Sequence, residues 1–218
     1  MTNDFSDVRV CIWDFDGTFF EPIPALNDAI IEADYTVVMA HTKWDREKTI
    51  EEFHKIYKVV TPSSTETAAR LANISLREAA IECEHYKDRT KYLKYDPKLP
   101  ELFMKLSNFQ HFILANGIRE KIIPALEVLG VNKETFVDIV TSEIVGVNKP
   151  QPDGFLYIMR ETKLPASNHI MIGDREAVDL VPAKSLGMHT ALLWSKEKSA
   201  VADVTLPTVY DVGKLLVS

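Results

Sequence analysis

Two aspartates separated by one residue follow an apolar run near the start of the chain. Asp14 and Asp16 come directly after residues 8–13, a mostly apolar stretch that is typical of a strand buried in a parallel sheet. Open α/β sheets bind their ligands at the carboxyl ends of such strands. Two carboxylates this close repel each other unless a cation or a shared proton lies between them, and oxygen ligands suit Mg²⁺. The pattern therefore indicates a magnesium site, with a polar turn ending at Gly17 as the alternative.

Three further polar clusters occur at strand ends or before helices later in the chain. They are Ala115-Asn116-Gly117, Lys149-Pro150, and Gly173-Asp174 with Asp179. Each also has an ordinary interpretation: Asn-Gly pairs form turns, single lysines are usually solvated, and an acidic residue early in a helix favours the helix dipole. Asp174, however, ends an apolar strand in the same way as Asp14 does. Because the carboxyl ends of parallel strands meet at one edge of a sheet, we expect these two carboxylates to lie together.

Strands alternate with helices over the second half of the chain. Strands are predicted at 111–115, 137–141, 169–172 and 190–194, and helices at 120–129, 152–162 and 177–186. This alternation, together with the first strand, predicts an α/β, Rossmann-like parallel sheet with helices on both faces. Residues 25–93 instead show helical periodicity throughout, with helices expected over 45–60 before Pro62, after Ser63, and from Ser75 to about residue 92. We therefore expect an all-helical insertion after the first strand.

The overall composition narrows the range of partners. The 218 residues carry a formal net charge of -7, which disfavours binding to nucleic acid or to an anionic membrane surface. The two cysteines, Cys11 and Cys83, argue against a disulfide framework or a structural zinc site. We see neither a signal-peptide pattern nor an apolar run of membrane-spanning length. The expectation is a soluble cytoplasmic protein, a monomer or a homodimer, that acts on a small metabolite.

In this order, the four clusters resemble the motifs of the haloacid dehalogenase-like hydrolase superfamily, in its branch with a helical cap. The resemblance rests on Asp-x-Asp-Gly-Thr at 14–18, Lys-Pro at 149–150 and Gly-Asp-x-x-x-x-Asp at 173–179, and it covers nearly the whole chain. It implies a Rossmann-like core at residues 1–20 and 95–218 and an inserted helical cap at residues 21–94. The activity it implies is that of a magnesium-dependent phosphatase acting on a small phosphomonoester.

The resemblance also assigns roles to the acidic residues. Asp14 would be the nucleophile that forms an aspartyl-phosphate, and Asp16 would protonate the leaving oxygen and later activate water. The carboxylates of Asp14 and Asp174 and the main-chain carbonyl of Asp16 would hold Mg²⁺. Thr18 would help to position Asp16. Asp179 would either support Lys149 and the metal site from outside or be only a first-turn helix carboxylate.

The remaining roles concern the phosphoryl group. Lys149 would neutralise the charge of the nucleophile and of the phosphate, with Lys121 as the alternative lysine. Ala115, Asn116 and Gly117 occupy the second motif, which in the family normally begins with Ser or Thr. Because Ala115 has no hydroxyl, phosphate binding here would depend on main-chain N–H groups.

Other functions remain open from the sequence. A sugar phosphomutase would use the same aspartyl-phosphate, and the stretch at residues 92–102 is similar to the cap-to-core return of pyrimidine 5′-nucleotidases. A non-catalytic binding protein is the third alternative, favoured only by Ala115. The presence of Asp16 argues against dehalogenation, which does not need a second acid. Chemistry alone nominates five cap residues as substrate contacts: His41, Lys43, Trp44, Arg46 and Tyr86.

Overall fold

A sheet of six parallel strands forms the centre of the molecule in the computed structural model, which describes residues 4–57, 59 and 63–217. The strand order is β3-β2-β1-β4-β5-β6, and every neighbouring pair is parallel. The strands are β1 Val10–Trp13, β2 Gln110–Ala115, β3 Asp138–Thr141, β4 His169–Gly173, β5 His189–Leu193 and β6 Val204–Leu206. The chain therefore winds outward from β1 in both directions, which makes the carboxyl end of β1 a topological switch point.

Both faces of the sheet are buried by apolar side chains. Along β1, Cys11 and Trp13 belong to one apolar cluster, whereas Val10 and Ile12 belong to a second cluster on the opposite face. All four residues are 0% exposed. Because side chains alternate along a strand, a near-continuous apolar run requires a cover on each face. The predicted α/β fold with helices on both faces is confirmed.

The described helices follow the predicted order closely. They are α1 Pro24–Thr42, α2 Arg46–Tyr57, α3 Ser64–Ala72, α4 Leu76–His85, α5 Lys98–Lys105, α6 Arg119–Leu129, α7 Ser142–Val145, α8 Asp153–Thr162, α9 Val181–Ser185 and α10 Val212–Leu216. Short 3₁₀ turns occupy Arg89–Lys91, Lys133–Thr135, Ala166–Asn168 and Val209–Asp211, and a π-helix spans Glu176–Leu180.

Helices α1 to α4 all lie between β1 and β2 in the chain and have an apolar cluster of their own. Tyr35, Val38, Phe53, Ala68 and Cys83 are among its buried members. Both predicted helix starts are confirmed: the Ser63 hydroxyl accepts a hydrogen bond from Glu66 N, and Ser75 with Glu78 forms a complete capping box. The predicted end of α2 at Val60 and Pro62 lies outside the described residues.

Two predicted helices differ from the structure, and two short elements near the end of the chain were not predicted. The fourth helix ends at His85 rather than near residue 92, because the Asp88 carboxylate caps a separate 3₁₀ turn by accepting a hydrogen bond from Thr90 N. The helix predicted at 177–186 begins instead as the π-helix, with only α9 in α geometry. Strand β6 and helix α10 were not predicted, since three to five residues are too few for a periodic signal. Among the described helices, none is long and apolar enough to cross a bilayer.

Candidate active site

Asp14 lies at the switch point, directly after the central strand. Its main-chain N–H donates to the Ile172 carbonyl at 2.9 Å, which continues the β1–β4 ladder one residue beyond β1. The sheet therefore fixes the position of the Asp14 main chain. Its side chain is 4% exposed and lies at the carboxyl end of β1, where open α/β sheets bind their ligands.

Lys149 joins two of the predicted carboxylates. Its Nζ lies 2.8 Å from Asp14 Oδ1 and 2.6 Å from Asp179 Oδ1, and the three side chains are 4% exposed or less. Burial alone would lower the pKa of Lys149, but the charges of Asp14 and Asp179 outweigh it and raise the pKa, so this lysine is cationic. The structure thus pairs Lys149, and not Lys121, with Asp14.

Asn116 holds Lys149 in place through the main chain. Its Oδ1 accepts a hydrogen bond from Lys149 N at 2.8 Å, and its Nδ2 donates to the Lys149 carbonyl at 3.1 Å. Both ends of the amide are therefore used, and the side chain acts as a clamp on the lysine. The predicted phosphate binding at Asn116 is through main-chain N–H groups and does not use this side-chain amide.

Three carboxylates form the only group of potential metal ligands found in the described part of the chain. Asp14, Asp174 and Asp179 each place one oxygen so that all three atoms lie within 4.8 Å of one another. Asp14 Oδ2 and Asp174 Oδ1 are buried oxygens with no hydrogen-bond partner among the described residues. Burial and the charges of Asp14 and Asp179 raise the pKa of Asp174 to about 8.

A divalent ion fits this arrangement. An all-oxygen donor set with two buried, unpartnered carboxylate oxygens matches the ligand preference of Mg²⁺, and a cation would relieve the repulsion between the acidic groups. Two glycines permit the close packing. A Cβ on Gly17, whose φ is +77°, would lie 2.5 Å from Asp174 Oδ2, and one on Gly173 would lie 2.7 Å from Asp179 Oδ2.

Asp16 is directed away from these carboxylates and toward a residue that the sequence did not single out. Arg89 Nε donates to Asp16 Oδ1 and Oδ2 at 2.9 Å each, and Nη2 donates to Oδ2 at 2.8 Å. Burial opposes ionisation of Asp16, but the charge and hydrogen bonds of Arg89 prevail and lower its pKa below the usual value. The predicted Mg²⁺ contact through the Asp16 carbonyl does not involve this carboxylate.

Arg89 also binds Glu84 in helix α4. Its Nη1 donates to Glu84 Oε2 at 2.5 Å, and Lys87 Nζ lies 3.2 Å from the other oxygen, Oε1. Glu84 and Arg89 are 1% and 4% exposed at their side chains. Arg89 thus connects the helices between β1 and β2 to the residue two positions beyond Asp14. Pattern analysis offers no signal for it, since charge pairing across 73 residues has no periodicity.

A cavity of about 350 Å³ opens between α1, α3 and the carboxyl ends of the strands. Asp16, Gly17, Asn116 and Asp174 form its inner end. The five cap residues nominated from chemistry do not line it: for example, His41 pairs with Glu82 at 2.8 Å and Arg46 with Glu32 at 2.6 Å.

The other predicted site residues support the site without reaching into it. The Ala115 side chain packs in the apolar cluster that contains Trp13, so only its main chain is available to a ligand. The Gly117 carbonyl accepts a hydrogen bond from Ser142 Oγ at 3.1 Å. Thr18 is 0% exposed, and its carbonyl accepts a hydrogen bond from Trp194 Nε1 at 3.3 Å, which anchors the turn after Asp16.

A doubly wound α/β core with a buried lysine and three carboxylates at its switch point has the arrangement of a candidate active site. The sequence model of the haloacid dehalogenase-like hydrolases matches residues 8–187. This chain belongs to that family and is a hydrolase.

A curated relative matches only part of the sequence of this chain. Over 78 residues the chain is 36% identical to the glyceraldehyde 3-phosphate phosphatase of Methanocaldococcus jannaschii, and the match spans 36% of this chain and 34% of that protein. The chain thus matches only about a third of the length of that curated relative.

Two solved structures resemble the whole chain. A HAD phosphatase from Thermococcus onnurineus has a TM-score of 0.67 at 19% identity, covering 95% of this chain and 97% of that one. A 2-haloacid dehalogenase from Pseudomonas syringae pv. Tomato DC3000 has a TM-score of 0.61 at 18% identity, with the same coverage. The likeness shows the fold alone, and the two named reactions differ, so the chemistry must be argued from the site.

Proposed function

We propose that this hydrolase is a magnesium-dependent phosphatase that cleaves a small phosphomonoester through an aspartyl-phosphate on Asp14. One observation carries the proposal. Asp14 has one oxygen on Lys149 Nζ at 2.8 Å, and its other oxygen is buried without a hydrogen-bond partner among the described residues. A carboxylate in that state, beside a cation and at a ligand-binding sheet edge, is suited to attack an anionic electrophile. The partial match to a phosphatase supports the same reaction class.

Each step then uses a residue of the site. A carboxylate oxygen of Asp14 attacks phosphorus, the bond from phosphorus to the leaving oxygen breaks, and Asp16 gives that oxygen a proton. Water next attacks the aspartyl-phosphate, loses a proton to Asp16, and inorganic phosphate leaves. Lys149 balances negative charge on Asp14 and the phosphoryl oxygens throughout. To donate its proton, Asp16 must turn away from Arg89, which stabilises the ionised carboxylate.

Asp14 and Asp174 would hold the magnesium ion, with Asp179 binding Lys149. When bound, the ion supplies charge neutralisation for the phosphoryl group and its attacking carboxylate. Residues 21–94 would act as the cap, because their helices close the outer side of the cavity and would exclude water from it. The main-chain N–H groups after Ala115 would bind phosphoryl oxygens in the absence of a side-chain hydroxyl.

The proposal is tested by measuring phosphate release from sugar phosphates, nucleotides, phosphoglycolate and glyceraldehyde 3-phosphate, with and without Mg²⁺. We expect magnesium-dependent turnover that needs no bisphosphate activator. Asp14→Asn should reduce it to background while leaving the fold intact by circular dichroism, because the amide is isosteric but a poor nucleophile. Asp153→Asn, at an exposed position of α8, is the matched control and should keep full activity. Wild-type rates from Asp14→Asn would overturn the nucleophile assignment.

A further inference from the structure

One wall of the cavity is apolar even though its inner end is lined by carboxylates. Leu26 and Ile30 lie one turn apart on α1 and therefore share a face, and Ile23 precedes the helix on the same side. Tyr57, at the end of α2, adds an aromatic ring that is 37% exposed. All four side chains line the space into which a substrate's leaving group would extend from Asp14.

Packing within the described apolar clusters does not explain why an Ile occupies position 30. It belongs to none of the three apolar clusters found in the described residues, and it contacts no such cluster from the side. Its neighbour Ile31 packs on the cluster of the inserted helices, as does Met39 further along α1. Part of the Ile30 side chain is exposed in a cavity that also contains Asp16 and Asp174. An apolar group of a ligand that packed on Ile30 would remove this apolar surface from water, which is favourable.

Other residues that line the cavity are polar. Ser63, Ser64 and Thr65 around the start of α3 contribute hydroxyl groups, and Lys87, Arg89 and Arg175 contribute cations. Lys87 and Arg89 are paired with Glu84 at 3.2 and 2.5 Å, and Arg175 Nε lies 3.9 Å from Asp174 Oδ1. The cavity lining therefore has an apolar part on α1 and a polar, cationic part. A leaving group made only of hydroxyl-bearing carbons would leave polar atoms against Ile30 without hydrogen bonds, which is costly.

We propose that the site selects phosphomonoesters whose leaving group has an apolar face of three or more carbons, which packs on Ile30, Leu26 and Tyr57. This inference rests on the proposed phosphatase function and names the substrate class of the same site. The cavity volume of about 350 Å³ is at the low end of the range for small-molecule pockets, about 300–1,000 Å³. It therefore has room for a short carbon skeleton beyond the phosphoryl group.

The test compares kcat/KM along a series of straight-chain alkyl phosphates from methyl to butyl, whose leaving groups have similar reactivity. Full burial of each added methylene raises kcat/KM by about fourfold. The decisive pair is n-propyl phosphate and glycerol 1-phosphate, which have the same carbon chain but differ by two hydroxyls. We expect the propyl ester to be preferred by about tenfold or more, since a hydroxyl of glycerol 1-phosphate that faces Ile30 rather than Ser63 or Ser64 would lie unpaired against the apolar wall.

Two variants distinguish an effect of the apolar wall on substrate selectivity from a general effect on the structure of the protein. Ile30→Asn should flatten the alkyl series and reduce the preference for n-propyl phosphate to less than about threefold. Met39→Ala, which truncates another partly buried apolar residue of α1 that does not line the cavity, should leave both measurements unchanged.

The outcomes distinguish this inference from the proposed function. Turnover with a flat alkyl series, or with glycerol 1-phosphate preferred, would overturn the inference and leave the phosphatase proposal standing. An equal loss of selectivity in Ile30→Asn and Met39→Ala would also overturn it, since the effect would then be structural. Release of phosphate from no ester at all, with Mg²⁺ present, would refute the proposed function and this inference together.

Discussion

Replacing Arg89 tests the ion-pair network that connects the inserted helices to the loop after β1. Arg89→Met removes a guanidinium that contacts Asp16 on one side and Glu84 on the other. Glu84 is 1% exposed, so it would remain as a buried charge with only Lys87 near it, whereas Asp16 is 30% exposed and can be hydrated. Breaking a buried pair from one side costs about 3–5 kcal/mol, and most of that cost should come from Glu84.

A double-mutant cycle checks this assignment. Glu84→Gln in the Arg89→Met background removes the unpaired charge, so we expect the double variant to recover roughly 2 kcal/mol of the loss, an amount limited by the amide that stays buried. Urea unfolding with a free fit of the slope gives the free energy of unfolding for all four proteins. A strongly non-additive cycle is the predicted result.

The matched control is the Arg46–Glu32 pair in the same set of helices. It is also doubly hydrogen-bonded, at 2.6 and 2.7 Å, but its side chains are 54% and 51% exposed. Because solvent screens such a pair, Arg46→Met should cost far less than Arg89→Met. Equal costs for the two substitutions, or additive effects of Arg89→Met and Glu84→Gln, would refute the reasoning.

Three further predictions concern the carboxylate cluster. Gly17→Ala should weaken Mg²⁺ binding at least about tenfold in a calorimetric titration, because the added Cβ would push Asp174 from the site. Gly146→Ala is the control, because Gly146 has a similar φ of +81° but no atom within 4 Å of the added Cβ. This variant should bind Mg²⁺ as the wild type does. Mg²⁺ affinity should rise with pH and level off above about 8, with proton release on binding, because the raised pKa keeps Asp174 protonated at lower pH. Without metal, the folded protein holds that proton and the unfolded chain loses it near 3.8, so the free energy of unfolding should fall as pH rises between these values. A pH-independent affinity would contradict the assignment.

Much of the site can be predicted from strand periodicity, because the sheet fixes where the residues at the strand ends lie. Asp14 and Asp174 were expected together since each ends an apolar strand, and β1 and β4 are neighbours with their carboxyl ends at one edge. Lys149 and Asp179 were predicted instead from the family resemblance and the order of its motifs, and the structure places them 2.6 Å apart. Only for Asp14 and Asp174 did topology and residue type suffice.

The contacts that could not be predicted are those between side chains on separate elements. Arg89 meets Asp16 across the boundary between inserted helices and sheet, and Asn116 meets the main chain of Lys149 across 33 residues. Neither pairing leaves a periodic trace, because a charged or amide side chain at the end of an element is equally compatible with solvent. Only the packed structure shows that these polar groups are already engaged.

The same contacts indicate how the inserted helices can move. Their apolar cluster contains no described residue of the sheet, and the two sets are joined by polar contacts: Arg89 with Asp16, and Asn148 Nδ2 with Ser63 Oγ at 2.7 Å. Displacing the helices would exchange these hydrogen bonds for hydrogen bonds to water, each at a modest net cost. In the proposed mechanism Arg89 must release Asp16 for proton transfer, so a contact between the inserted helices and the core would also be one that catalysis has to break. Opening of the helices and release of the acid are thus expected to be coupled through this one arginine.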